Sequence, residues 1–335
     1  MLSPGTLLQN RYRVLEQIGQ GGMGTVYVAT DERFRSTVAL KETHFDDPGL
    51  RRAFEREAHL LHRLRHAALP KVTDHFVEGA GQFLVMEFIA GEDLSEMLKA
   101  RGGAFPPTEV LSWADQLLDA LDYLHTQETP VVHRDIKPQN LKLTSRNQIV
   151  LLDFGLAKGS AAQLTRVTAT GSVFGYSRHY APLEQIQGAG TDPRSDLYSL
   201  GATLYHLLTG VTPPDALTRA TAVLNAQPDP LQPANELNAH VPAPVSEILA
   251  RAMNLNAGQR PQTAAAMRDA LREAARQPAP LGSAPRAANR SHEQPDLYNQ
   301  QTQLLGEPGA TGAPADPLAT RRMDGLDAAT AAFQA

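Results

Sequence analysis

Apolar positions along the chain follow two rhythms. Up to about residue 90, short runs rich in Val, Tyr, Thr and Phe recur at Tyr12–Gln17, Thr25–Thr30, Thr37–Glu42, Lys71–Val77 and Gln82–Phe88. Runs of this length and type favour strands. One long stretch, Leu50–Arg65, interrupts them: Phe54, Glu57, Leu61 and Leu64 fall on one face of a helix. After residue 93 helical periodicity dominates, at Leu94–Ala100, Thr108–Thr126, Leu197–Thr209, Ala243–Met253 and Thr263–Ala275. This pattern predicts an α+β chain of two lobes. A small β-rich lobe with one helix occupies residues 11–90 and a larger, mainly helical lobe residues 91–276. The cleft between them is the natural ligand site.

Composition separates a third region. Residues 277–335 hold 7 Pro, 13 Ala and 5 Gly, with no Val or Ile. Too few large apolar side chains remain there to bury a core, so a disordered tail is expected, with a short helix at Asp324–Phe333. Over the whole chain, 31 Lys and Arg stand against 36 Asp and Glu, a formal net charge of -5. That balance argues against nucleic acid as a partner. No Cys occurs, which excludes disulfides, thiolate metal sites and cysteine nucleophiles. Leu197–Pro214 lacks Asp, Glu, Lys and Arg but contains two Gly, three Thr and two Pro, so it reads as a buried helix rather than a membrane span. With no secretory run at the start, a cytoplasmic protein is expected.

Gly19-Gln20-Gly21-Gly22-Met23-Gly24 satisfies G-x-G-x-x-G, a pattern shared with dinucleotide-binding folds. In those folds the last glycine opens a helix. Here Thr25-Val26-Tyr27-Val28 follows, which favours a strand. The glycines therefore belong to a hairpin turn whose bare backbone can lie close over a polyphosphate. Val38-Ala39-Leu40-Lys41 forms the next strand, ending in a lysine. On the helix, Glu57 lies within an apolar face, where a carboxylate is costly unless paired. His59, His62 and His66 lie on the opposite face and read as solvated or packing residues rather than a metal site.

The strongest signal is Val131-Val132-His133-Arg134-Asp135-Ile136-Lys137-Pro138-Gln139-Asn140, followed by Asp153-Phe154-Gly155. Order and spacing together resemble the protein kinases, and the glycine loop resembles that of bacterial serine/threonine kinases of the eukaryotic-like type. The resemblance covers about residues 12–275. It implies a two-lobed kinase fold binding ATP and Mg²⁺, with proteins as substrates; the lack of a spanning apolar run separately predicts no membrane insertion.

By that resemblance Asp135 orients the acceptor hydroxyl, and Lys137 stabilises charge on the transferring group. Lys41, paired with Glu57, positions the α- and β-phosphates. Asn140 and Asp153 are the Mg²⁺ ligands. The resemblance places Ile18, Gly19, Gly21, Gly22, Gly24, Val26 and Ala39 around the nucleotide. Met86 lines the back of the pocket, while the Glu87 carbonyl and the Ile89 amide meet the purine. Asp93 matches a ribose-contacting position, although a helix N-cap explains it equally well. Asp196 matches the aspartate that supports the catalytic loop, and Glu184 and Arg260 match a structural ion pair.

Two departures stand out. The usual Ala-Pro-Glu reads Pro182-Leu183-Glu184. Lys142 occupies the position that in kinases is apolar and forms the floor under adenine. Its methylenes are expected beneath the purine, with the ammonium reaching Asp93 or Glu92. The other reading leaves Lys142 in solvent.

Arg134 and Lys158 suggest that a phosphate bridges them, with Thr170 favoured as the phosphorylated residue, then Thr168 and Ser172. A tail-binding partner or a transient dimer for autophosphorylation fits this scheme. Two other functions stay open: an ATP-binding pseudokinase scaffold and a small-molecule phosphotransferase of kinase-like fold. Against the scaffold, nothing needed for ATP or Mg²⁺ is missing. Against the phosphotransferase, Lys137, Asp-Phe-Gly and the Asp196–Gly201 helix start are all present.

Overall fold

The structure, a computed structural model, describes residues 1–21, 24–45, 47–153 and 178–276. The expected tail, Gly22, Phe154, Gly155, Lys158, Thr168, Thr170 and Ser172 lie outside the described residues.

Six strands form one sheet in the order β1-β2-β3-β4-β6-β5: β1 (Leu7–Leu8), β2 (Tyr12–Gly21), β3 (Gly24–Asp31), β4 (Ser36–His44), β5 (Val72–Glu78) and β6 (Gly81–Glu87). All neighbours are antiparallel. Alternation sorts their side chains onto two faces. Val38, Leu40, Phe83 and Val85 join Tyr12 and Tyr27 in an outer cluster. Ala39, Leu84 and Met86 face the other way and merge with the main core. Lys41 shares the parity of Ala39 in β4, so register alone aims it at the core side of the sheet.

Helix α1 (Pro48–Arg63) covers that side, burying Phe54, Ala58 and Leu61. It begins two residues before the expected Leu50, because Asp47 accepts from the amides of Gly49 and Leu50 and Pro48 fits the first turn.

The helical lobe contains α2 (Leu94–Arg101), α3 (Pro107–His125), α4 (Leu183–Ile186), α5 (Pro193–Thr209), α6 (Ala216–Leu224), α7 (Ala234–Leu237), α8 (Ala243–Ala252) and α9 (Ala264–Arg276). Helix α5 is buried on nearly every face: the Leu197–Leu208 stretch is apolar on most sides, and the polar Ser195, Asp196, Ser199 and Thr203 are buried with it. It starts at Pro193 rather than Leu197, fixed by a capping box from Asp192. Between α3 and α4 a short hairpin, β7 (Leu141–Leu143) and β8 (Ile149–Leu151), carries the catalytic motifs. No helix among the described residues is long and apolar enough to cross a membrane.

Candidate active site

The glycine loop ends the β2–β3 hairpin, whose pairing runs out to Gly21 opposite Gly24. Gly24 has φ +130, and a Cβ there would lie 1.9 Å from the Glu42 carbonyl oxygen. Only glycine fits at that point. Ile18 is half exposed, whereas Ala39 and Met86 are buried. A small enclosed space lies behind them, lined by Lys41, Leu61, Val72, Leu84, Met86 and Asp153.

Asp196, fully buried on α5, organises the catalytic loop. Its Oδ2 accepts from the His133 amide at 2.8 Å and from His125 Nε2 at 2.9 Å; its Oδ1 accepts from the Arg134 amide at 2.8 Å. This clamp holds Arg134 at φ +68, a strained value for a side chain with a Cβ. The loop then turns back on itself. The His133 ring contacts the Leu152 carbonyl at 3.1 Å, and its Nδ1 accepts from the Asp135 amide at 3.3 Å.

Asn140 Nδ2 donates to the Asp135 backbone carbonyl at 2.7 Å and to Asp135 Oδ2 at 3.0 Å. Lys137 Nζ lies 3.2 Å from the same Oδ2. The carboxylate of Asp135 is therefore oriented from two sides. Thr203, seven residues along α5 from Asp196, reaches the Ile136 carbonyl at 3.4 Å. Gln185 donates to the Arg134 carbonyl at 2.9 Å. His125, Thr203 and Gln185 were not singled out from sequence. For Thr203 a signal existed, because spacing of seven places it on the face of Asp196.

The Leu152 amide donates to the Asn140 carbonyl at 2.7 Å, which sets Asp153 at the open end of the β7–β8 hairpin beside Asn140. Lys41 Nζ pairs with Asp153 Oδ1 at 2.8 Å. This differs from the expected partner. Among the described residues Glu57 on α1 makes no ion pair with Lys41; burial pushes its carboxyl up to about 7, against the weaker opposing pull of Arg134 and Lys41. Glu57 sits on the desolvated face of α1 outside ion-pairing distance of Lys41, and Asp153 takes the ammonium instead.

Asp93 caps α2, its Oδ1 accepting from Ser95 and Glu96 amides at 2.9 and 3.0 Å. The N-cap reading therefore accounts for that oxygen. Lys142 reaches neither Asp93 nor Glu92. Its Nζ donates to the Ile89 carbonyl at 3.3 Å, half buried rather than in solvent. Glu87 is exposed, and its amide donates to the Lys71 carbonyl at 2.8 Å.

In the larger lobe Arg260, wholly buried, grips Glu184 through both terminal nitrogens at 2.7 and 3.0 Å. Burial would raise the Glu184 carboxyl, but the bonds from Arg260 prevail and hold it below the usual range. The substituted motif Pro182-Leu183-Glu184 thus keeps its charged contact.

A family profile described as Protein kinase domain matches residues 12–271. Among curated relatives, the serine/threonine-protein kinase PknL of Mycobacterium tuberculosis is 35% identical over 318 residues, covering 91% of this chain and 76% of that protein. PrkC of Bacillus subtilis is 35% identical over 263 residues, 78% of this chain but only 40% of its own length. A Clostridium acetobutylicum relative at 36% identity is likewise spanned over just 40% of its length. The crystal structure of the Mycobacterium tuberculosis PknI kinase domain superposes with a TM-score of 0.65 at 27% identity, covering 82% of this chain and 99% of that one. The glycine hairpin, the clamped Asp135 loop and these similarities converge: the chain belongs to the protein kinase family, as a bacterial serine/threonine kinase domain of the eukaryotic-like type.

Proposed function

We propose that this protein transfers the γ-phosphoryl group of ATP to serine and threonine hydroxyls of other proteins. The observation that carries the reading is the doubly oriented Asp135 carboxylate, held by Asn140 and Lys137 on a loop fastened to buried Asp196. The acceptor hydroxyl gives its proton to Asp135 as its oxygen forms a bond to the γ-phosphorus. The bond from that phosphorus to the β-phosphate bridging oxygen breaks, and ADP leaves. Lys137 balances charge on the group in transit, and positioning accounts for the rest.

Asn140 and Asp153 form the metal site. The Asn140 amide nitrogen is committed to Asp135, which leaves its Oδ1 for a cation, and Asp153 supplies a carboxylate beside it. Two hard oxygens suit Mg²⁺, which when bound neutralises phosphate charge. Lys41 exchanges Asp153 for the phosphates and Glu57 in the nucleotide-bound form. Ile18, Val26, Ala39, Met86, Glu87 and Ile89 enclose the purine, with Lys142 as its floor. Phosphorylation at Thr170, Thr168 or Ser172, carried out in trans within a transient dimer, brings Arg134 and Lys158 together. The protein works in the cytoplasm, where ATP is available.

Labelled ATP incubated with the purified chain tests the reading. Label should enter protein and vanish in Asp135→Asn. Mg²⁺–ATP binding without transfer would make the chain a scaffold, and transfer only to small molecules would make it a phosphotransferase of another class.

A further inference from the structure

The linker between the lobes is fastened to β7 at two points. Lys142 and Asp93 form an antiparallel backbone bridge. The Lys142 ammonium also sits on the Ile89 carbonyl at 3.3 Å, with the centre of the Phe88 ring 5.9 Å away. Between them Gly91 has φ +117, and a Cβ there would lie 2.7 Å from the Leu143 carbonyl oxygen, so the linker hugs β7 closely. The ammonium is thus built into the linker edge rather than left in solvent.

Ile89 carries one donor and one acceptor. When a residue reads a flat edge as one strand reads its neighbour, its N–H and C=O face the same edge. On the nucleotide reading given above, the Ile89 amide meets a ring nitrogen of the purine. Its carbonyl then faces the adjacent ring carbon, C2. Adenine carries only hydrogen there. A 2-amino purine carries a donor, which a free carbonyl would accept. Here one lone pair of that carbonyl already accepts from a full positive charge, and the ammonium repels the positive end of any second donor brought beside it.

We propose that Lys142 is a specificity-determining residue that, seated on the Ile89 carbonyl, excludes purines bearing a 2-amino group. The inference rests on the assignment of this cleft to ATP. The discriminating probe is the triphosphate of 2,6-diaminopurine riboside, which keeps the amino group and ring nitrogen that adenine presents and differs only at C2.

Binding of Mg²⁺–ATP and of this probe is measured by calorimetry on the full chain, for wild type, Lys142→Met and Lys142→Arg. Wild type should bind the probe roughly tenfold more weakly than ATP, about 1.4 kcal/mol. Methionine keeps the apolar stem without the charge and should bring the two affinities within about threefold of each other. Arginine keeps the charge and should keep the discrimination. Equal affinities in wild type, or an unchanged ratio in Lys142→Met, overturns the assignment of Lys142 while leaving the ATP site intact. Should Lys142→Met not fold, loss of discrimination in Lys142→Arg overturns it instead. No ATP binding by wild type would overturn the nucleotide site itself.

Discussion

Lys41 and Glu57 show how parity and contact are separate questions. Strand alternation aims Lys41 at α1, and helical periodicity aims Glu57 at the sheet, yet the ammonium rests on Asp153 at 2.8 Å. Glu57 is left in a desolvated position, its carboxyl raised from 4.5 to about 7 mainly by burial. A carboxyl raised on folding keeps a proton that the unfolded chain has already released. Stability therefore falls as pH rises from about 4.5 to 7, by about 3 kcal/mol across the window. Glu57→Gln removes this cost. In urea unfolding at pH 5 and pH 8, wild type should lose about 2–3 kcal/mol relative to Glu57→Gln on going to pH 8. A wild type that gains on the variant at pH 8 would mean that Lys41 and Glu57 are paired in solution. On the proposed function, Lys41 positions the phosphates by its charge. Lys41→Met should keep the fold and lose at least about a hundredfold in phosphoryl transfer, read as initial rate with labelled ATP. Near-normal transfer would remove Lys41 from the site.

Among elements, α4 and α5 are joined to the segment before α9 by a single buried cation. Arg260 contacts Glu184, the carbonyls of Asn254, Leu255 and Arg194, and the face of Tyr198 at 5.0 Å. Removing the carboxylate strands a guanidinium with no access to water. Glu184→Ala should cost about 3–5 kcal/mol, measured by urea midpoint, whereas Glu184→Gln retains an acceptor and should cost less. A loss below about 1 kcal/mol would show that water reaches Arg260.

The same elements mark how far sequence carries. β2 to β6, α1, α3, α5, α8 and α9 were legible because each has a strong period and turn residues at its ends. Helix α6 was not. It follows Pro213-Pro214, exposes Leu217, Val223 and Leu224, and is anchored by Arg219 buried against Asp229 and the Met253 carbonyl. That is a tertiary cause with no local periodicity. The start of α5 lies ahead of its apolar run for a related reason: its first turn is polar, yet Ser195 and Asp196 are buried to hold Glu184 and the catalytic loop. At the site, residue types and spacing singled out Asp135, Asn140 and Asp153, and the fold brings Asn140 against the Asp135 carboxylate. The partner of Lys41 and the reach of Lys142 depend on how the lobes meet, which no local pattern encodes.

At the scale of the molecule, the catalytic loop is tied to the helical lobe through Asp196, while Lys41 and Glu57 belong to the sheet lobe. Arg134 stands where these parts meet. Its amide is held by Asp196, and its charge is felt at Glu57. Among the described residues its guanidinium finds a hydroxyl rather than a carboxylate: Nε donates to Thr191 Oγ1 at 2.8 Å. A half-buried cation so placed is suited to an added anion. A phosphate brings about −1.5 to −2 charges and three acceptor oxygens, enough to engage Arg134 and Lys158 together. Phosphorylation at Thr168, Thr170 or Ser172 should then raise turnover by organising the catalytic loop rather than by tightening ATP. The triple alanine variant should lose at least about tenfold in turnover while its Mg²⁺–ATP affinity stays within about threefold of wild type. Arg134→Ala should reproduce the loss without adding to it, because the two changes remove the same contact. Full activity in the triple variant, or losses that simply multiply when combined with Arg134→Ala, would separate Arg134 from any phosphate and end this account of control.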